Sequence, residues 1–118
     1  MSYKYEIHIL NATKNQGYVE GTIDEFSWFA IVQEDPVPFG IDSVTLTKGR
    51  GKITRLCLYK DSTDVEGNPF LPSLSIKRMI YANFQHEWSI LNHKYRDMVK
   101  ELVIYLERRY AMHVVDLG

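Results

Sequence analysis

FSWFAIVQEDPVPFGID, residues Phe26 to Asp42, begins as an extended run that is apolar on both sides. Phe26, Trp28, Ala30 and Val32 share one face of a strand, and Phe29 and Ile31 share the other. Such two-sided apolarity suits a central strand with a helix on one face. The run then meets Pro36 and Pro38, which lack an N–H and restrict the residue before them, so the strand is expected to end near Gln33. Gly40 permits a positive φ. Val37, Phe39 and Ile41 are expected to point inward, making the Pro-rich stretch a lid on one end of the sheet.

Before this stretch, Tyr3, Tyr5, Ile7 and Ile9 alternate with Lys4, Glu6 and His8, the pattern of a half-buried strand. Asn11–Gly17 is rich in turn formers and is expected to close it. Gly17–Ile23 forms the second strand, and Asp24-Glu25 links it to Phe26. After the lid, Ser43–Thr47 and Lys52–Tyr59 read as a hairpin around Lys48-Gly49-Arg50-Gly51. Asp61–Pro72 is the longest expected loop, broken by Gly67, Pro69 and Pro72. Ser75–Asn83 reads as another strand, although Ile76, Met79 and Ile80 also have the spacing of a short helix.

Tyr95, Met98, Val99, Leu102, Val103, Leu106 and Tyr110 recur at helical steps, with Arg96, Asp97, Lys100, Glu101, Glu107 and Arg108 off that stripe. Trp88–Asn92 reads as the helix's beginning and Asn92 as its N-cap. The expected fold is α+β: an antiparallel β-meander of five or six strands over about residues 3–83, with one long C-terminal helix, about 92–110, packed on one face. A short tail, 111–118, completes one domain spanning 1–118.

Composition narrows the function classes. A chain of 118 residues supports one core, and 45% apolar with 25% charged residues is ordinary for a globular protein. Aromatics reach 13%, with eight Tyr, which favours strands. The net charge of −1 lacks the positive excess of a non-specific nucleic-acid binder. Cys57 is the only cysteine, so an intrachain disulfide and a cysteine-based zinc site are both excluded, in keeping with a reducing compartment. The opening MSYKYEIHIL lacks the pattern of a signal peptide, and no apolar run approaches the roughly 20 residues of a membrane helix. A cytoplasmic protein with no membrane contact is expected.

Lys48–Lys52, KGRGK, has glycines and cations suited to an anion, but it lacks P-loop spacing, and a polar turn accounts for the same residues. Ser43 to Lys60 nevertheless carries Lys48, Arg50, Lys52, Arg55 and Lys60 with no acidic residue, a basic ribbon suited to a protein partner or to nucleic acid. Arg55 with Tyr59, and Arg78 with Tyr81, interleave cations and aromatics in the manner of a base-stacking surface, although Tyr on a sheet face usually packs. His8, His86, His93 and His113 are scattered, and His86, Glu87 and His93 fall short of a metal-ligand pattern. Cys57 in an apolar strand reads as a buried small hydrophobe rather than a nucleophile. Asp24-Glu25 and Glu34-Asp35 read as solvated corners. No set of nucleophile, base and orienting group emerges, so no enzyme and no cofactor are expected.

Gly21-Thr22-Ile23, Phe26–Val32, Phe39-Gly40-Ile41, Gly51–Leu56 and Tyr81–Trp88 ahead of a helix occur in an order that resembles a family of small uncharacterised domains from phages and conjugative elements of Gram-positive bacteria. Coverage runs from about Gly17 to Tyr110. The chain departs from that pattern at Phe39 and at Asn83-Phe84-Gln85-His86. The resemblance implies a curled antiparallel sheet backed by one helix, carried by mobile elements, with no assigned activity. The expected role is a non-enzymatic accessory protein that binds, and in one form inhibits, a larger host protein, with Phe39 and the basic ribbon as its contact surfaces. Nucleic-acid binding through residues 48–60 is the alternative, and self-association through Val114, Val115 and Leu117 is compatible with both.

Overall fold

The structure, a computed structural model, describes residues 4–13, 17–64 and 75–115. Six strands follow one another: β1 (Ile7–Thr13), β2 (Tyr18–Ile23), β3 (Phe26–Ile41), β4 (Lys48–Asp64), β5 (Ser75–Gln85) and β6 (Trp88–Leu91). A 3-10 turn, His93–Tyr95, leads into the helix α1, Arg96–Val115. The strands form one sheet in sequence order, each antiparallel to the next, so the fold is the α+β meander with a long C-terminal helix that the sequence predicts.

Alternation along the strands explains the layering. Val19 opposes Ala30, and Ile23 opposes Phe26, between β2 and β3; Trp28 opposes Leu58, and Ala30 opposes Leu56, between β3 and β4. Leu56 in turn opposes Phe84, and Leu58 opposes Ala82. All of these side chains are buried in one cluster with Met98, Val99, Leu102, Val103 and Leu106 of α1. The period of two on the strands thus meets a helical stripe of matching composition, and apolar burial on this face is the main stabilising term. Phe26, Tyr81 and Tyr95 close one end of the core through edge-on contacts, with centroids 4.8 to 5.2 Å apart.

Several boundaries differ from the sequence reading. β1 runs Ile7–Thr13 and continues into the expected Asn11–Gly17 turn, with a register shift between Ile9 and Asn11. Residues 14–16 lie outside the described residues, as does Tyr3. β3 does not end at Gln33. It continues to Ile41 because its pairing with β4 shifts register between Val32 and Val37 and again between Val37 and Gly40. Pro36 and Pro38 sit inside these irregularities, where the regular ladder needs no N–H from them. Ile41 faces the core, as expected, but Phe39 is 38% exposed and packs edge-on against His86 at 4.8 Å.

The expected KGRG turn is likewise displaced, because Lys48–Gly51 belongs to β4 and the reversal lies at Asp42–Thr47. There Asp42 Oδ1 accepts the N–H groups of Val44 (2.8 Å) and Thr45 (3.2 Å), an Asx turn that satisfies donors the ladder cannot. Leu46 takes a φ of 61° while its side chain is buried. Trp88 Nε1–H donates to its carbonyl, which helps hold that conformation. Of the two glycines in KGRG, Gly51 serves close approach: a Cβ there would lie 2.0 Å from the Ile41 carbonyl oxygen.

β4 also extends to Asp64, so the expected Asp61 loop begins as strand, while residues 65–74 lie outside the described residues. Trp88–Leu91 is a strand rather than the helix start. Asn92 does cap the following turn, its side-chain oxygen accepting the N–H of Lys94 at 3.0 Å. The side chains on which self-association was expected, Val114, Val115 and Leu117, and that of Tyr110, lie outside the described residues.

A candidate docking face on the open side of the sheet

The residues that alternate with the core line the opposite side of the sheet, away from α1. Tyr18 opposes Ile31, and Glu20 opposes Phe29, across β2 and β3; Phe29 opposes Cys57, Ile31 opposes Arg55, and Ser27 opposes Tyr59, across β3 and β4. Cys57 then opposes Asn83, and Tyr59 opposes Ile80, on β5, and Asn83 opposes Ile90 on β6. Ile80 and Ile90 are 40% and 41% exposed.

The centre of this face is a row of half-buried rings. Tyr18 and Phe29 lie 6.2 Å apart with planes 24° off parallel, and Phe29 and Tyr59 lie 6.0 Å apart. The Arg55 guanidinium sits 5.0 Å from the Phe29 centroid, and that of Arg78 sits 3.9 Å from the Tyr59 centroid. Arg78 is also held by Asp61 through two bonds of 2.8 and 3.0 Å, a fork-to-fork ion pair. Those bonds hold the Asp61 carboxyl below its usual pKa. Burial and the neighbouring Glu20 carboxylate, which accepts the Tyr18 hydroxyl at 3.0 Å, push the Tyr18 phenol up. Arg55 Nη1 donates to Asn83 Oδ1 and to the carbonyls of Phe84 (3.1 Å) and Leu56 (3.5 Å). Cys57 is buried beneath the row; burial raises its thiol pKa, with Arg55 and Arg78 pulling the other way, so the thiol stays protonated and unreactive at neutral pH.

Comparison with protein-family models, curated proteins and solved structures finds no match for this chain.

The residues singled out from the sequence do not form one surface. Lys48 to Lys60 covers about 40 Å of extended strand, and alternation sends its members to different sides. Arg55 lies on the open face. Lys60 pairs with Glu25 at 3.2 Å and lies 5.7 Å from the Phe26 ring, at the margin of the helix-covered face. Lys52 is buried, and its backbone N–H donates to Glu107 Oε1 of α1 at 2.9 Å. Lys48 and Arg50 are exposed at the start of β4. Phe39 lies beside His86, at the β5–β6 turn. Arg78 does not partner Tyr81: a register shift between Leu58 and Tyr59 turns Tyr81 toward Phe26 and Tyr95, and Arg78 covers Tyr59 instead. Tyr18, Phe29 and Ile80 are face residues that the linear reading passed over; the alternation of Phe29 and Ile31 opposite the core residues of β3 was the available signal.

Among the described residues no three His, Cys, Asp or Glu side chains converge as metal ligands. No helix among them is long and apolar enough to cross a membrane.

Proposed function

We propose that the protein is a non-enzymatic binding protein, a cytoplasmic accessory of a phage or other mobile element, that docks a larger host protein on the open face of its sheet. The observation that carries this reading is the Tyr18–Phe29–Tyr59 row with Arg55 and Arg78 laid against it. Half-exposed Tyr and Arg held in fixed positions are the side chains that dominate protein interfaces, because they offer large area at little cost in ordering. The flanking Ile80 and Ile90 extend the apolar part of the patch. Inhibition of a host component is the regulatory outcome such docking would serve.

Rings beside guanidinium groups also suit stacked bases, and nucleic-acid binding is the second reading. Charge favours protein: Asp61 neutralises Arg78, Glu25 neutralises Lys60, and Glu20 borders the row, leaving little free positive charge to replace phosphate counterions.

The test is affinity capture from a Gram-positive host lysate, divided into nuclease-treated and untreated halves. Wild type should retain one protein in both halves, Ile80→Asp and Arg55→Glu should lose it, and Arg50→Glu, about 17 Å of strand from Arg55, should retain it. Capture lost on nuclease treatment would favour nucleic acid, and equal capture by Ile80→Asp would refute the face.

A further inference from the structure

Arg55 occupies an unusual position on this face. Its Nη1 donates only to neutral oxygens, those of Asn83, Phe84 and Leu56, and its guanidinium is braced near the Phe29 ring. Among the described residues no carboxylate pairs with Arg55, whereas Arg78 has Asp61 and Lys60 has Glu25. No acceptor among them engages Nε or Nη2 either. Neither atom is among the buried unpartnered polar atoms, of which Trp28 Nε1 is the one described, so the free edge of the fork reaches solvent.

An arginine immobilised through one nitrogen, with its remaining edge open beside an aromatic ring, is prepared for a planar anion, since little side-chain freedom remains to be lost on binding. Resting on the docking reading above, we propose that this edge receives a carboxylate: the partner presents an acidic segment whose Asp or Glu side chain lies on Arg55 Nε and Nη2, with apolar neighbours against Phe29, Ile31 and Ile80. The complementarity is local. One uncompensated cation stands at the centre of a face whose other cation already has its carboxylate, so a single acidic side chain completes the pattern where a run of phosphates would meet Asp61 and Glu20.

Selection of a displayed library of random twelve-residue peptides on the full chain tests this. Peptides enriched on wild type should share an Asp or Glu at one fixed position. Their synthetic versions should bind roughly ten- to a hundredfold more weakly when that residue becomes Asn or Gln, as expected for loss of a charge-assisted pair. The same loss should appear with Arg55→Gln, while Arg55→Lys, which keeps the charge without the fork, should fall between. The exchange on the peptide side leaves the protein untouched, so it separates recognition from folding. Peptides that are lost on Ile80→Asp yet lack a shared acid, or ignore Arg55→Gln, would overturn the carboxylate site and leave the docking face standing. No enrichment on the face at all would overturn both. Oligothymidine that displaces the peptides and depends on Arg55 would assign the edge to phosphate instead.

Discussion

Two glycines of the same five-residue segment should respond differently to alanine. At Gly51 the new Cβ would lie 2.0 Å from the oxygen and 2.7 Å from the carbon of the Ile41 carbonyl, where real Cβ contacts essentially never fall below 3.0 Å. Backbone is the obstacle, so β3 and β4 must part by about 1 Å, enough to stretch an ordinary hydrogen bond beyond bonding distance. The pairs at risk are Val37–Gly51, Gly40–Gly49 and Ile41–Lys48. Losing two or three backbone bonds at about 1 kcal/mol each, and disturbing buried Ile41, costs about 2–4 kcal/mol. With an ordinary urea dependence for a domain of this size, the unfolding midpoint falls by about 1–2 M. At Gly49 the nearest atom to the new Cβ is Asp42 Cβ at 3.4 Å, within van der Waals contact. Alanine there reduces unfolded-state freedom without a clash and should leave stability within about 0.5–1 kcal/mol of wild type. Urea melts followed by tryptophan fluorescence measure both variants. Gly51→Ala melting with wild type, or the two variants melting together, would refute the close-approach reading and reopen an anion-binding role for these glycines.

Two further outcomes follow from the electrostatics. Asp97, at the start of α1, accepts from Lys4 Nζ (3.0 Å) and from the Tyr5 hydroxyl (3.1 Å), and Lys4 leads the causes that lower its pKa. A lowered folded pKa gives stability that is present above the unfolded value, near 4, and is lost as pH falls through the folded one. Asp97→Asn should therefore lower the urea midpoint modestly near neutrality and converge with wild type in acid, which flattens the acid limb; an unchanged limb would contradict the clamp. Cys57 should react with a thiol reagent under native conditions only as fast as the sheet opens, accelerating with denaturant, and labelling at the rate of a free thiol would contradict its burial.

Periodicity made the layers legible. The alternation of Phe26, Trp28, Ala30 and Val32 and the stripe Met98–Leu106 each record a face that must be buried, and both are. The Pro-rich end of β3 was not legible, because only the register shifts opposite β4 show that the irregular pairing accommodates Pro36 and Pro38. The reversal at Asp42–Thr47 was obscured by glycines nearby: its positive φ falls on Leu46, whose carbonyl is held by Trp88 from far along the chain. Arg55 and Tyr59 were visible as candidates, but the ring row was not, since the partner of Tyr59 is chosen by the register shift beside Tyr81. The linear basic run promised a continuous surface that alternation on one strand divides.

Photo-crosslinking in host lysate tests the docking face most directly, with a benzophenone side chain placed at Ile80 on that face or at Val44, which is 74% exposed in the Asp42–Thr47 turn. Docking on the open face predicts one nuclease-resistant protein adduct from position 80 and none from position 44. An adduct from 44 alone, or adducts from 80 that are nucleic acid, would contradict it.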